Sequence, residues 1–217
     1  HTDASQSFGK MPIDVQKMNI DVLTASSHKV YGPKGAALLF IRSGVNIEPL
    51  LHGGGHERGM RSSTVNVPAV VGFARAVDIC LSEMGTEMNR QRSIKNRIIK
   101  RVLEEIPNSY LNGHPEKSLP NIMNIRFDFV EGESVLALLD LEGVAVSTAS
   151  ACSSPKLEPS HVLMACGLKA HEAHGAIRMS IGRFTTDDEV DYAVDALVRV
   201  IKRLREISPF KVKEDVQ

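Results

Sequence analysis

Lys29 is the residue on which covalent chemistry could turn. It closes the run Ser26-Ser27-His28-Lys29, which follows an apolar strand-like stretch, Ile20 to Ala25, and precedes Tyr31-Gly32-Pro33-Lys34-Gly35. A lysine that forms a Schiff base must leave solvent and shed its proton, and a pocket at the end of a buried strand favours both. Ser26 and His28 beside it carry groups that can donate to a phosphate. Upstream, Asp3 stands where a first strand ends, with Gln6 three residues further on. A carboxylate set against a pyridine nitrogen keeps that ring protonated and makes it an electron sink. Asp3 suits that role, and the set as a whole points to pyridoxal phosphate (PLP). Each member alone has a plainer reading. A lysine after a strand is ordinarily a solvated side chain, and an Asp ahead of a Gln is ordinarily a turn or cap. The combination is what carries the chemistry.

The chain has three cysteines, Cys80, Cys152 and Cys166, an odd number at wide spacing. That is neither a disulfide framework nor a metal-binding pair, and it suggests a reducing compartment, the cytoplasm or an organelle interior, of which the cytoplasm is the one expected. Cys152 lies in Ser147-Thr148-Ala149-Ser150-Ala151-Cys152-Ser153-Ser154-Pro155, a run too small and polar for a core strand. An exposed loop thiol there suits a nucleophile or sulfur carrier. Cys80 falls on the apolar stripe of a helix and Cys166 ends a short helix before Gly167, so both are expected to be small core residues. His52 and His56 are four apart, but the glycines between them oppose the helix that would align them on a metal. His171 and His174 have no thiol or carboxylate partner at motif spacing. No metal site is expected.

The elements that must hold these residues follow from periodicity. Two strands, Ile20 to Ala25 and Ala36 to Ile41, flank the lysine loop. A loop rich in Gly, Ser, His and Arg runs from Pro49 to Pro68 around Gly53-Gly54-Gly55. Helical spacing then holds from Pro68 to Ile106, with Val71, Ala74, Val77 and Cys80–Leu81 on an early stripe and Ile94, Ile98, Val102 and Ile106 on a later one. Arg90, Arg92, Lys95, Arg97, Lys100 and Arg101 share the other face of the second stretch, read as solvated because no aromatics interleave for base stacking. Beyond Pro107 come a strand at Ile122 to Phe127, a short helix at Glu133 to Leu141, short strands at Val144 to Ser147 and Ala176 to Ile181, and a last helix. Thr186 with Glu189 makes its capping box, and Val190, Val194, Leu197, Ile201 and Leu204 make its buried stripe. A boundary is placed in the 85–107 region. A βαβ-like piece, residues 1–85, precedes it, and a linking helix with a compact α+β domain, residues 86–217, carries the Cys152 loop.

Lys and Arg total 26, as do Asp and Glu, so formal net charge is zero. Such a chain has no general electrostatic attraction for nucleic acid or acidic lipid. No apolar run approaches a membrane span, and the first residues do not read as a signal peptide. The opening His1-Thr2-Asp3-Ala4 enters directly on the end of a strand, so the natural protein is expected to continue upstream.

Five segments, in order, carry a family resemblance. They are His1-Thr2-Asp3-Ala4-Ser5-Gln6-Ser7; Ser26 to Gly35; Gly53-Gly54-Gly55-His56-Glu57-Arg58-Gly59-Met60-Arg61-Ser62-Ser63-Thr64; Ser150-Ala151-Cys152-Ser153-Ser154; and Ile177-Arg178-Met179-Ser180-Ile181-Gly182-Arg183-Phe184. Together they resemble the IscS/NifS group of cysteine desulfurases, class V aminotransferase-like enzymes of PLP fold type I, from His1 to about Pro209. The resemblance implies an α/β fold: the C-terminal part of the large PLP-binding domain plus a small α+β domain. It implies that Asp3 pairs with the pyridine nitrogen and that Gln6 bonds the phenolic oxygen. Ser26 and His28 hold the phosphate, and Lys29 carries the cofactor covalently. Thr64 reaches the phosphate of the other subunit's cofactor, which implies a homodimer. Arg178 grips the substrate carboxylate, and Cys152 accepts sulfur from L-cysteine as a persulfide, leaving L-alanine. The sulfur then passes to an iron–sulfur scaffold or sulfur-relay protein, for cluster assembly or tRNA thiolation. The histidine that stacks on the ring, an asparagine and a phosphate-binding loop precede the matching start in that family, so residues 1–217 alone are expected to be inactive. Two other readings use the same residues. One is a selenocysteine lyase or another aminotransferase-like PLP enzyme; the other is a non-catalytic module that docks a scaffold protein.

Overall fold

A computed structural model describes residues 1–148 and 159–209 of the chain. It divides into two compact units, His1–Met88 and Asn89–Gln217. No helix among the described residues is long and apolar enough to cross a membrane.

In the first unit, β1 (Thr2–Asp3), β2 (Val22–Ser26) and β3 (Ala37–Ile41) form one sheet in that order. β1 runs parallel to β2, and β3 runs antiparallel to it. Strand alternation buries Leu23 and Ala25 of β2 beneath Ala4, with Phe8, Ile13, Val15, Ile20, Leu38 and Phe40 packed around them. Both strands flanking the lysine turn lie within a residue or two of their sequence-expected bounds. The long helix α1 (Val67–Glu105) is unbroken. Its early stripe differs in phase from the expected one. Ala69, Phe73 and Ala76 are buried, and Val77 and Cys80 pack beside them, whereas Val71 and Leu81 are 61% and 57% exposed and Ala74 is also exposed. The ring of Phe73 decides the phase: it is the largest apolar group available, and it packs on Val30 and meets Phe8 edge-on at 6.2 Å between centroids.

The second unit is built on an antiparallel sheet of β4 (Ser109–Asn112), β5 (Ile122–Phe127), β6 (Ser147–Thr148) and β7 (Ala176–Ser180), ordered β4-β5-β7-β6. Ile94, Ile98, Val102 and Ile106 of α1 are buried with Met123, Ile125 and Phe127 of β5 and Ile177 of β7. α2 (Gly132–Leu141) adds Val135 and Leu139, and α5 (Asp187–Ile207) adds Val190, Val194, Leu197 and Ile201. The capping box forms as its spacing predicts: Thr186 Oγ1 accepts from Glu189 N, and Glu189 returns a bond to Thr186 N. Two short helices, α3 (His161–Ala165) and α4 (Ala170–His174), precede β7. β4 has no counterpart in the sequence expectations, and β6 starts where the expected strand ended. Gly143 at φ 77° turns the chain after α2, Val144 N bonds back to Leu139 O, and Val144 and Val146 reach the core as loop residues.

The basic face of α1 is not the solvated face that was expected. Arg90 donates to Gly182 O and Thr185 O, and Arg97 pairs with Asp187 at 2.7 Å. Arg101 joins Glu105, Asp191 and Asp195, and Lys95 is buried against Ser118 Oγ and Leu119 O. Carbonyls at loop ends and the acidic first turns of α5 supply the partners that a single-helix reading cannot see. Lys100, exposed near Glu104, fits the solvated description.

Candidate active site

The parallel pairing of β1 and β2 sets Thr2 against Leu23 and Asp3 against Thr24. Residues that follow both strands therefore leave the sheet at the same edge. Asp3 is exposed there, and its Oδ1 accepts from Ser5 N at 2.8 Å. Hydrogen bonds from the Ser5 side chain and backbone hold its carboxyl below the usual carboxylate range. Ser5 Oγ lies 3.4 Å from Ser26 Oγ, which ties the two strand ends together.

Ser27 to Val30 form one 3-10 turn. Its outer members are buried: Ser27 is fully so, and Val30 packs on Phe73 and Ala76. Ser27 N donates to Ala36 O, and Gly32 N donates to Ser27 O. With both ends seated, His28 and Lys29 project outward and are exposed. Tyr31 takes φ 66° as the turn closes, and Gly32 passes so near Ser27 that a Cβ there would lie 2.2 Å from its Oγ. That hydroxyl is buried without a hydrogen-bond partner. Gln6 is exposed, and its carbonyl accepts from Lys10 Nζ at 3.2 Å. Burial first, then the charge of Lys29, lowers the proton affinity of the Lys10 amine. These residues fit PLP. A carboxylate kept ionised, two hydroxyls, an imidazole and an amine are gathered at one strand edge, as a pyridinium, a phosphate and an aldehyde require.

Thr64 is exposed in the segment between β3 and α1, next to Ser63 at φ 100° and a few residues beyond Glu57 and Arg58 at φ 49° and 58°. No hydrogen bond joins it to Asp3, Ser26, His28 or Lys29 among the described residues. The structure thus gathers Asp3, Ser26, His28 and Lys29, with Gln6 on the adjoining turn.

In the second unit, Arg178 lies on β7 opposite Asn124 of β5 and opposite Ser147 of β6. Asn112 of β4 lies opposite Asn124 and donates to its Oδ1 at 2.6 Å. Arg90, Arg97, Arg101, Arg126 and Arg205 each have an acceptor within the unit, whereas the half-buried Arg178 has none among the described residues. Cys152 lies outside the described residues, four positions beyond Thr148.

Cys80 is half-buried, with Sγ 3.7 Å from Val30 O beneath the lysine turn. Cys166 corrects the expectation of a core thiol, for it is exposed. α3 is a five-residue helix that buries Leu163, and Cys166 sits past its end, where the N–H bonds Val162 O and Leu163 O before Gly167 turns at φ 96°. Among the described residues no group of three or more His, Cys, Asp or Glu is placed to hold a metal ion. Lys10 and Asn124 had no motif to mark them, and Ser27, inside the lysine run, was given no role; their places come from tertiary neighbours.

A parallel strand pair that delivers a carboxylate and a lysine turn to one end of a sheet is a feature of PLP fold type I enzymes. The family model for aminotransferase class-V matches residues 1–193, and the chain belongs to that family. It is 52% identical over 209 residues to a protein named cysteine desulfurase IscS 1 from Archaeoglobus fulgidus, covering 96% of this chain and 54% of that one. With cysteine desulfurase IscS from Dictyoglomus turgidum it shares 46% identity over 97% of this chain and 54% of the other. Among solved structures, one titled NifS-like protein superposes with a TM-score of 0.83 at 35% identity, over 93% of this chain and 52% of that one. A NifS-like protein from Rickettsia africae gives the same TM-score at 28% identity, over 92% and 52%. The chain spans about half the length of the curated relatives it matches.

Proposed function

We propose that the chain is the C-terminal part of a PLP-dependent cysteine desulfurase that converts L-cysteine to L-alanine and leaves a persulfide on Cys152. The observation that carries this is the parallel register of β1 with β2, which delivers Asp3 and the Ser26–Lys29 turn to one edge. PLP, when bound, supplies an electron sink conjugated to the substrate α-carbon. Asp3, held ionised by Ser5, keeps a pyridine nitrogen protonated. Ser26 and His28 would bind the phosphate, Gln6 the phenolic oxygen, and Lys29 would hold the cofactor covalently. The Lys29 amine would serve as the base that removes and returns the proton at the substrate α-carbon. Arg178 takes the substrate carboxylate with its planar fork. The Cys152 thiolate attacks the substrate sulfur: a sulfur–sulfur bond forms on Cys152, the carbon–sulfur bond breaks with its electron pair passing to the β-carbon, and that carbon takes up a proton, equal to the one the Cys152 thiol gave up, to become the methyl group of alanine. Thr64 completes the phosphate site of a second copy, which makes the working enzyme a homodimer. The persulfide is handed to an iron–sulfur scaffold or sulfur-relay protein, for cluster assembly or tRNA thiolation, in the cytoplasm. Identity of 45–52% with relatives named cysteine desulfurase supports this choice within the family.

The test uses the full-length polypeptide. Cys152→Ala is expected to abolish sulfur release from cysteine while cofactor absorption is retained, and mass spectrometry of the wild-type protein is expected to find the added sulfur on Cys152. Turnover that survives the substitution favours the selenocysteine lyase or other aminotransferase-like reading instead.

A further inference from the structure

We propose that Asn124 is a second ligand for the substrate carboxylate, presenting its side-chain amide beside the Arg178 guanidinium. The inference rests on the assignment of Arg178 to that carboxylate.

Strand register places the two side chains. Asn124 and Arg178 are directly opposed on the antiparallel β5–β7 pair, so they share a sheet face with Cβ atoms about 5 Å apart. They belong to a row that crosses all four strands: Asn112, Asn124, Arg178, Ser147. The neighbouring row, Leu111, Ile125, Ile177 and Thr148, points to the opposite face, where Ile125 and Ile177 are fully buried. All four members of the polar row are half-buried, so it is not an ordinary solvated sheet surface.

Hydrogen bonding then fixes what the row offers. Asn112 Nδ2 donates to Asn124 Oδ1 at 2.6 Å, which occupies that acceptor and leaves Asn124 Nδ2 as the group open to another partner. Two donor groups consequently stand side by side, Asn124 Nδ2 and the Arg178 guanidinium, and neither has an acceptor among the described residues. Half-buried donors call for acceptors. An amide and a guanidinium together match a carboxylate, whose two oxygens offer about four lone-pair directions. Asn112 Oδ1 is buried without a partner, so the row presents donors at the expense of its own saturation.

The experiment compares Asn124→Ala, the near-isosteric Asn124→Asp and Arg178→Ala in the full-length holoenzyme. It measures KM and kcat for L-cysteine, the dissociation constant of L-alanine, and the melting temperature. Asn124→Ala is expected to raise KM and the L-alanine constant about tenfold and to move kcat far less. Asn124→Asp, which places a competing carboxylate beside Arg178, is expected to raise both further. If Arg178→Ala weakens binding while both Asn124 variants leave the two constants within about twofold, the inference is overturned and the Arg178 assignment stands. If Arg178→Ala also leaves them unchanged, that assignment falls and the inference with it.

Discussion

Gly32 shows how one missing side chain shapes the lysine turn. A Cβ there would meet Ser27 Oγ at 2.2 Å, Ser27 O at 3.2 Å and Ala76 Cβ at 3.4 Å. The Ser27 hydroxyl has no room to retreat, because Ser27 is fully buried and its backbone is bonded on both sides. Gly32→Ala in the full-length protein is expected to cost about 1–3 kcal/mol, seen as a lowered melting temperature, and to weaken PLP affinity by shifting Lys29. An unchanged melting temperature with normal PLP affinity would contradict this account of the turn. Lys29, Ser26, His28 and Asp3 could be singled out in the sequence as candidates because short runs of chemically apt side chains follow apolar strands. Ser27 and Asn124 were not, since an inward serine and a cross-strand amide acquire meaning only through burial and register. The exposure of Cys166 was misread for a related reason: apolar neighbours in sequence are not neighbours in a five-residue helix.

Helices were more legible than strands. α5 announced its start with Thr186 and Glu189 and its buried side with four residues that are at most 3% exposed. β4, a single Ser-Tyr-Leu-Asn alternation, is too short to stand out from a loop, and its pairing with β5 is a long-range event. α1 illustrates what helical period leaves undecided, because its partners lie elsewhere in the chain. Lys95, 4% exposed, donates to Ser118 Oγ at 2.7 Å and Leu119 O at 2.8 Å and so fastens the segment before β5 to the helix. Burial, then the charge of Arg92, lowers the Lys95 pKa from its ordinary value. The folded chain therefore holds that proton less tightly than the unfolded chain. The cost of the charged amine is full below the folded pKa and fades as pH climbs toward the ordinary lysine range, about 10. Relative to Lys95→Met, the wild-type protein is expected to gain stability between pH 7 and pH 10, as read from urea midpoints. A gap that moves the other way would rule out a desolvated Lys95.

The whole chain corresponds to about half of its curated relatives, and that proportion sets expectations for the isolated polypeptide. Purified residues 1–217 mixed with PLP are expected to lack the strong visible absorption of a lysine-bound cofactor, and borohydride is expected to leave little label on Lys29. A full, stable band with desulfurase turnover from this chain alone would overturn the expectation. β6 is two residues long and paired along the rim of its sheet with Ile177 and Arg178. Cys152 follows Thr148 by four residues, and each residue of chain spans at most about 3.5 Å. The Cys152 Cα therefore stays within about 14 Å of that of Thr148, on a strand paired with Arg178, and peeling β6 off the rim would lengthen this tether by about 7 Å. For a persulfide carried on Cys152, as proposed above, the point where a two-residue strand lets go would set the delivery radius.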